Sequence, residues 1–189
     1  GALFTVTVNC VDENWNKVSS PVPNPQVKVN TSDLYDTDPT AQYLSGGARS
    51  FNVTLVTAGS ALLTAVDLAS TYTQSVSPTI TVNVNDPVKL QLIVPGEGAV
   101  AGTTTGKTGT ASGQTAGTAF TATVNCVDAN WNKVIAANPT VKINTNDIYD
   151  SEHTDAALSS GEGTFSVTPR TAGTLYVTAG DVALTYTSN

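Results

Sequence analysis

Hydrophobic and polar residues alternate along most of the chain, and this alternation predicts short β-strands. In FTVTVNCVD (residues 4–12), the aromatic, valine and cysteine side chains fall on one face of a strand, whereas the threonines and the asparagine fall on the other. No stretch shows the 3.6-residue period of an amphipathic helix. The predicted strands are 3–11, 26–30, 48–56, 60–67, 78–83, 88–94, 119–127, 140–144, 163–168, 174–179 and a weaker 183–187.

The strand pattern occurs twice because the sequence contains an internal repeat. NCVDENWNKV (residues 9–18) recurs as NCVDANWNKV (125–134), and TAGSALLTAVD (57–67) recurs as TAGTLYVTAGD (171–181). About seven short strands in each copy is typical of an immunoglobulin-like β-sandwich. We therefore predict an all-β fold of two tandem immunoglobulin-like sandwiches, with domains at 1–85 and 86–189 and a Gly/Thr-rich loop at 95–118 between the first two strands of the second.

The two copies begin and end at different points of the repeat. A full unit runs from VKLQLIVPGE (88–97) to a strand like SPTITVNVN (77–85), so the first copy lacks its opening strand and the second lacks its closing strand. An incomplete sandwich exposes unpaired backbone groups. Two explanations stay open: the chain is a piece of a longer tandem array, or neighbouring chains complete each other's sheets. The absence of any Met also suggests a processed chain or an excised piece.

Composition excludes two classes of partner. Only 8 basic residues stand among 15 acidic ones, and the net charge is −7, so the chain offers no basic surface for nucleic acid. No apolar run is long enough for a membrane helix, so we expect no membrane insertion. Charged residues make up 12% of the chain, and the Thr, Ser, Asn and Gly that replace them favour an extracellular or cell-surface location.

The chain resembles the bacterial Ig-like repeats of invasin- and intimin-type surface proteins. The resemblance rests on AFTATVNCVDANWNKV (119–134), TFSVTPRTAGTLYVTAGD (164–181) and PTITVNVND (78–86). It implies a structural, non-enzymatic stalk or spacer of a large cell-surface or secreted protein, whose partners are neighbouring copies of the repeat. The alternatives are a homopolymeric fibre subunit completed by strands from its neighbours, and an adhesin module that binds a glycan or another surface ligand.

The repeated decapeptide is the best candidate for a site, with calcium as its ligand. Its Asp-x-Asn-x-Asn spacing places three oxygen-bearing side chains in one loop, which suits a hard cation that takes about six to eight oxygens. Sandwich topology places one further Asp at the same end of each domain, and the linker NVNDP (83–87) brings another to the second loop as an interdomain clamp. The predicted ligands are Asp12, Asn14, Asn16, Asp67, Asp86, Asp128, Asn130, Asn132 and Asp181.

Each of these residues also has a purely structural interpretation. Asp and Asn build turns by hydrogen bonding to their own backbone, and Trp15 and Trp131 then cap the open end of each sandwich instead of stacking on a sugar. A second acidic segment, SDLYDTD (32–38) and NDIYDSE (146–152), is interpreted as a solvated loop, with completion of a calcium clamp as the alternative.

We predict no enzymatic activity and no nucleotide cofactor. AGTTTGKT (101–108) matches a relaxed phosphate-binding motif, but the GTASGQTAGT that follows cannot start the helix that such a motif needs. Cys10 and Cys126 are predicted to be buried free thiols, with an intermolecular disulfide as the alternative. His153 has no equivalent in the first copy and is interpreted as a polar loop residue rather than a catalytic partner for Cys126.

Overall fold

A computed structural model describes residues 1–150 and 153–187, and within these ranges all regular structure is β-strand. The chain divides into two compact units, Gly1–Asn83 and Val84–Asn189, a division two residues before the predicted one. The structure confirms an all-β fold of two tandem immunoglobulin-like β-sandwiches. Within the described residues, the first has no opening strand and the second has no closing strand.

The first unit contains strands β1 to β8. Their bounds are β1 Leu3–Asn9, β2 Gln26–Thr31, β3 Gln42–Tyr43, β4 Ala48–Thr54, β5 Gly59–Ala61, β6 Leu63–Asp67, β7 Ser75–Val76 and β8 Ile80–Val82. All pairs are antiparallel: β1 joins β4, β5 joins β8, and the four remaining strands form a sheet in the order β3–β2–β6–β7.

The second unit contains strands β9 to β16. Their bounds are β9 Lys89–Ile93, β10 Glu97–Ala99, β11 Lys107–Gly109, β12 Phe120–Val127, β13 Thr140–Thr145, β14 Ala156–Ala157, β15 Glu162–Val167 and β16 Val177–Asp181. One sheet has the order β15–β12–β9, the other has the order β14–β13–β16, and β10 and β11 form a separate hairpin. These pairs are also antiparallel.

Each unit has its own hydrophobic core between its two main sheets. In the first, Val29 from β2 faces Phe51 and Val53 from β4, and all three are at most 2% exposed. In the second, Val124 of β12 and Val141 of β13 are fully buried. The alternation of exposed and half-buried residues along β1 follows the predicted pattern, because the apolar β-branched positions of each strand face the opposite sheet.

A buried polar pair joins β9 to β12 in the second unit. The Asn125 side-chain amide donates to Gln91 Oε1 at 2.9 Å, and Gln91 Nε2 donates to the Gly106 carbonyl at 2.6 Å. Asn125 Oδ1 is buried without a described hydrogen-bond donor. Asn9, the equivalent residue of the first copy, is exposed, because that copy has no strand corresponding to β9.

Two predictions about strands are wrong. Residues 183–186 form a turn rather than a strand, because the carboxylate of Asp181 gathers the backbone amides that follow it. The predicted strand 174–179 begins only at Val177, where β13 supplies its backbone partner. The short strands β3, β7, β10, β11 and β14 were not predicted, since two or three residues are too few to show a period.

In the part of the chain that the structure describes, no helix is long and apolar enough to cross a membrane.

Candidate functional site

The decapeptide of the first unit forms a turn centred on Asp12. Asp12 Oδ1 accepts hydrogen bonds from the backbone amides of Asn14 and Asn16, both at 2.9 Å, and Oδ2 accepts one from the Asn16 side chain at 3.0 Å. The Asp12 amide donates to the Asn16 carbonyl at 2.9 Å, which closes the loop. The hydrogen bond from the Asn16 side chain, followed by that from its amide, lowers the pKa of Asp12, because both stabilise the carboxylate.

The second unit repeats this turn around Asp128, which is only 1% exposed. Its Oδ1 accepts the amides of Asn130 at 2.8 Å and Asn132 at 3.0 Å, and the Asn132 side chain lies 3.0 Å from Oδ2. One more donor is present here: the Asn85 amide bonds to Asp128 Oδ2 at 3.1 Å. The segment before β9 therefore passes this loop, as the sequence predicts for NVNDP.

The two tryptophans occupy the same position of the turn, with φ of 64° at Trp15 and 67° at Trp131, but their surroundings differ. The Trp131 indole donates to the Thr104 carbonyl at 3.3 Å, and its ring lies so close to Gly106 that a Cβ there would overlap it. Trp15 is 79% exposed. The difference arises because the loop after β9 covers Trp131, and the first unit has no corresponding segment.

Asp67 and Asp181 end β6 and β16 and hold the turns that follow. Asp67 accepts three backbone N–H groups at 2.9–3.2 Å, from residues 69, 71 and 72. Asp181 accepts three at 2.7–3.2 Å, from residues 183, 185 and 186. Both carboxylates therefore supply the hydrogen-bond acceptors that the turn amides would otherwise lack.

The predicted calcium ligands are not gathered into one carboxylate cluster. Among the described residues, no three His, Cys, Asp or Glu side chains are placed to share a metal ion. Asp86 is exposed, and Asp128 and Asp181 each accept N–H groups within their own loops. Because N–H donors already point at the oxygens that a cation would use, the geometry accounts for these carboxylates as turn anchors. The calcium site stays a prediction.

Sequence reasoning missed the role of Asp33 and Asp147 as anchors of a second loop. Asp33 accepts the amides of Val56 at 2.7 Å and Thr57 at 2.8 Å, together with the Thr57 hydroxyl at 2.8 Å. Asp147 accepts the amides of Arg170 at 2.6 Å and Thr171 at 2.7 Å. The signal was available, since an Asp in each acidic segment and a Thr-Ala-Gly in each later segment recur together in the two copies.

The hydrogen bonds of these anchors shift their pKa. The Thr171 amide is the main cause that lowers the pKa of Asp147 to about 2, against an opposing effect of burial. Burial acts most strongly on Asp33 and would raise its pKa, but the hydrogen bonds from Thr57 and Val56 together outweigh it and the pKa is lowered. Both carboxylates are therefore held in the charged form by their loops.

Asp36 differs from these anchors because its pKa is raised. Burial is the first cause, and the charges of Asp33 and Asp38 add to it, whereas the hydrogen bond from Thr31 opposes it. The Thr31 hydroxyl donates to Asp36 Oδ2 at 2.7 Å, and Lys28 pairs with Asp38 at 3.1 Å. A raised carboxyl pKa is a property that general acids share. In this loop the raised pKa belongs to a carboxyl group that accepts a hydrogen bond from the Thr31 hydroxyl. Ser151 and Glu152 of the equivalent loop in the second unit lie outside the described residues.

Cys10 and Cys126 are buried free thiols, as predicted. Burial, with a smaller contribution from the charge of Asp181, raises the pKa of Cys126 to about 11. A thiol with such a pKa carries almost no thiolate at neutral pH, and the thiolate is the nucleophilic form. Cys126 is therefore a core residue.

Comparison with known proteins finds no matching family model and no matching curated protein. Among solved structures, β-glucuronidase 3 of Bacteroides uniformis matches at 12% identity and a TM-score of 0.41, covering 88% of this chain and 20% of the enzyme. A β-glucuronidase of Parabacteroides merdae matches at 10% identity and a TM-score of 0.39 (88% and 21%). A glycosyl hydrolase family 2 member of Bacteroides cellulosilyticus matches at 15% identity and a TM-score of 0.39 (88% and 22%). The chain spans about a fifth of each enzyme's length.

This comparison overturns the predicted function. We expected a stalk or spacer of a bacterial surface protein, with a strand-completed fibre or an adhesin as alternatives, yet the matching structures named above are glycoside hydrolases. The error has a physical origin: a β-sandwich with short alternating strands serves many unrelated proteins, so the pattern that predicts the fold does not predict the role. At these identities and TM-scores the likeness assigns no activity or substrate to the chain.

Proposed function

We propose that the chain is a non-catalytic accessory module, in which two β-sandwiches contribute structure and surface rather than chemistry. One observation carries the proposal: the acidic residues that recur in both copies hold the same loops in both. Asp12 and Asp128 close the decapeptide turn, Asp33 and Asp147 anchor the loop of the Thr-Ala-Gly segment, and Asp67 and Asp181 hold the turn after their strands.

This arrangement leaves these side chains little capacity for catalysis. A general acid or base must reach a substrate proton, but each of these carboxylates already accepts two or more backbone N–H groups, from its own loop or, for Asp33 and Asp147, from the Thr-Ala-Gly segment. The pKa of Asp147 is displaced downward to about 2, away from the neutral range where an acid or base is useful. The buried Cys126 thiol, with its pKa of about 11, gives no nucleophile at neutral pH.

The test is an activity screen of the purified chain on chromogenic glycosides, a β-glucuronide included, and on esters. We expect the same rate from the chain, from its Asp36→Asn variant and from buffer. Asp36 is the informative position because its pKa is raised, and Asp150→Asn changes the equivalent residue of the other copy as a control for stability. Saturable turnover that is lost in Asp36→Asn and kept in Asp150→Asn would refute the proposal.

The resemblance to invasin- and intimin-type repeats and the extracellular location stay predictions beside this proposal.

A further inference from the structure

A polar cleft of about 370 Å³ opens on the first unit between β3 of one sheet and β4 of the other. Its lining consists of Gln42, Ser45, Ala48, Arg49 and Ser50. No carboxylate lines it, although acidic residues outnumber basic ones 15 to 8 in the chain. The cleft therefore combines a guanidinium, an amide and two hydroxyl groups, all of which can donate hydrogen bonds.

Arg49 enters the cleft from the core-facing side of β4. Side chains alternate along a strand, so Arg49 shares a face with Phe51 and Val53, which are each 1% exposed. Arg49 lies opposite Val8 of β1 and is itself exposed, a placement in which the aliphatic stem follows apolar surface and the charged group stays in water. Its guanidinium donates to Gln42 Oε1 across the cleft, and it has further N–H groups that can bond to a ligand.

Two hydroxyl groups and an amide line the cleft beside this guanidinium. Ser45 belongs to the turn before β4, which is closed by backbone hydrogen bonds of 2.9 and 3.2 Å. The Ser50 hydroxyl lies 3.1 Å from that of Thr7, and because a hydroxyl both donates and accepts, Ser50 can accept from Thr7 and donate into the cleft. Gln42 Oε1 accepts from Arg49, so the amide N–H groups of Gln42 are its remaining polar contribution.

The equivalent positions of the second unit carry balanced charges. There Glu162 replaces Ala48, and its carboxylate pairs with Lys133 at 2.9 Å. Gly163 replaces Arg49 and contributes no side chain. The donor-rich cleft is therefore a property of the first copy, and the second copy serves as an internal control.

Lys17 adds a second positive charge beside the cleft. The backbone next to it passes close to the turn before β4, since a Cβ on Gly47 would lie 1.9 Å from the Val18 carbonyl oxygen. Lys17 is also the equivalent of Lys133 in the repeated decapeptide. Among the described residues, no carboxylate lies within ion-pair distance of Lys17 or Arg49. Two cations without a carboxylate partner attract an anion, most strongly at low ionic strength.

We propose that this cleft binds an oxyanion, the carboxylate or phosphate group of a small ligand. The Arg49 guanidinium contacts two oxygens of the group at once, a geometry that suits both kinds of oxyanion. Ser45, Ser50 and Gln42 donate to the oxygens that remain, and Lys17 contributes through its charge. Binding requires no chemistry on the ligand, so this site is independent of the accessory role and would persist in a chain with catalytic activity.

The probes are sodium phosphate and sodium acetate, titrated separately into the full isotope-labelled chain at neutral pH and followed by two-dimensional NMR of the backbone amides. Sodium chloride at the same ionic strength is the reference, because it screens charge without offering an oxyanion. We expect saturable shifts at residues 42–50 that chloride does not produce, with residues 156–164 unchanged. Saturable shifts with either probe support the proposal, and the probe that binds more tightly identifies the group that the cleft takes.

Three substitutions locate the binding. Arg49→Gln should weaken it at least about tenfold, because hydrogen bonds to charged groups are the strong ones. Arg170→Gln should leave it unchanged, since Arg170 is also exposed but does not line the cleft. Ala48→Glu should weaken it while Arg49 is kept, because it introduces the carboxylate of the second copy, and this variant provides the test should Arg49→Gln fail to fold.

Three results overturn the proposal. They are shifts that sodium chloride reproduces, shifts confined to residues outside 42–50, and affinity that neither Arg49→Gln nor Ala48→Glu reduces. Absence of any shift with both probes has the same meaning, because the donors of the cleft would then bond only to one another and to water.

Discussion

The side-chain ammonium of Lys89 lies 3.4 Å from the centroid of the Trp131 ring. The same ammonium donates to the Ala129 carbonyl at 2.9 Å, so β9 is tied to the repeated turn at two points. Burial lowers the pKa of Lys89, and the charge of Asp128 opposes that effect. The cation, the aromatic ring and the carboxylate therefore form one connected end of the second unit.

The two tryptophans offer a matched pair of substitutions within one chain. We expect Trp131→Ala to lower the free energy of unfolding of the second unit by about 2 kcal/mol or more, because it removes a packed aromatic ring and a partly desolvated cation–π contact. Trp15→Ala should change stability by no more than about 0.5 kcal/mol, since that side chain is 79% exposed. Chemical denaturation followed by circular dichroism measures both. Equal effects of the two substitutions would contradict the role assigned to the loop over Trp131.

Asp147 predicts a specific loss of stability in acid. Its pKa is lowered to about 2 in the folded chain, whereas the pKa of an Asp in an unfolded chain is about 3.9. A depressed pKa means that the folded state favours the ionised carboxylate over the protonated carboxyl group. The carboxylate therefore stabilises the folded state above about pH 4, and this contribution is lost as the pH falls toward about 2. Asp147→Asn should make the stability of the second unit less dependent on pH in that window.

The control for this prediction is Asp155→Asn, because Asp155 is exposed in the same unit. Thermal unfolding at a series of pH values between about 2 and 5 compares the slopes of the three proteins. An Asp147→Asn protein that keeps the full acid dependence would show that the Thr171 and Arg170 amides do not hold that carboxylate in solution.

Calcium provides a direct test of the repeated turn. Binding to the folded state alone must raise the unfolding midpoint as ligand rises. We expect millimolar calcium to shift the midpoint no more than magnesium does, because the oxygens of Asp12 and Asp128 already accept N–H groups. A rise of several degrees that chelator reverses and Asp128→Ala abolishes would instead establish the calcium clamp.

The fold was predictable because its signals are local and repeated. The alternation in FTVTVNCVD is enough to place Cys10 in the core without any knowledge of its neighbours in space. The same pattern around Cys126 in the second copy gives the same result, and that cysteine is also buried. The strand at 183–187 was predicted incorrectly because the apolar residues in ALTYT alternate as they do in a strand. The segment forms a turn instead, because its backbone amides donate to the carboxylate of Asp181, which precedes it.

The candidate site was less predictable because oxygen-rich loops have two physical uses. The spacing of Asp12, Asn14 and Asn16 is the same whether the carboxylate accepts a cation or backbone amides, and only the direction of the N–H groups distinguishes the two. The partnership of Asp147 with Thr171 joins residues 24 positions apart, and no short motif records such a pairing. The different surroundings of Trp15 and Trp131 likewise arise from a segment outside the decapeptide.

The buried amides of Gln91 and Asn125 give the second copy a polar contact that the first copy does not have. A shift of β9 by one residue along β12 would separate these amides and leave both groups buried without partners, so the pair fixes the alignment of the two strands. In the first copy the same Asn, at position 9, is exposed, so we expect its replacement in this chain to change stability by no more than about 0.5 kcal/mol. The same residue type at equivalent positions of the repeat therefore has two environments, a buried, hydrogen-bonded one in the second copy and an exposed one in the first.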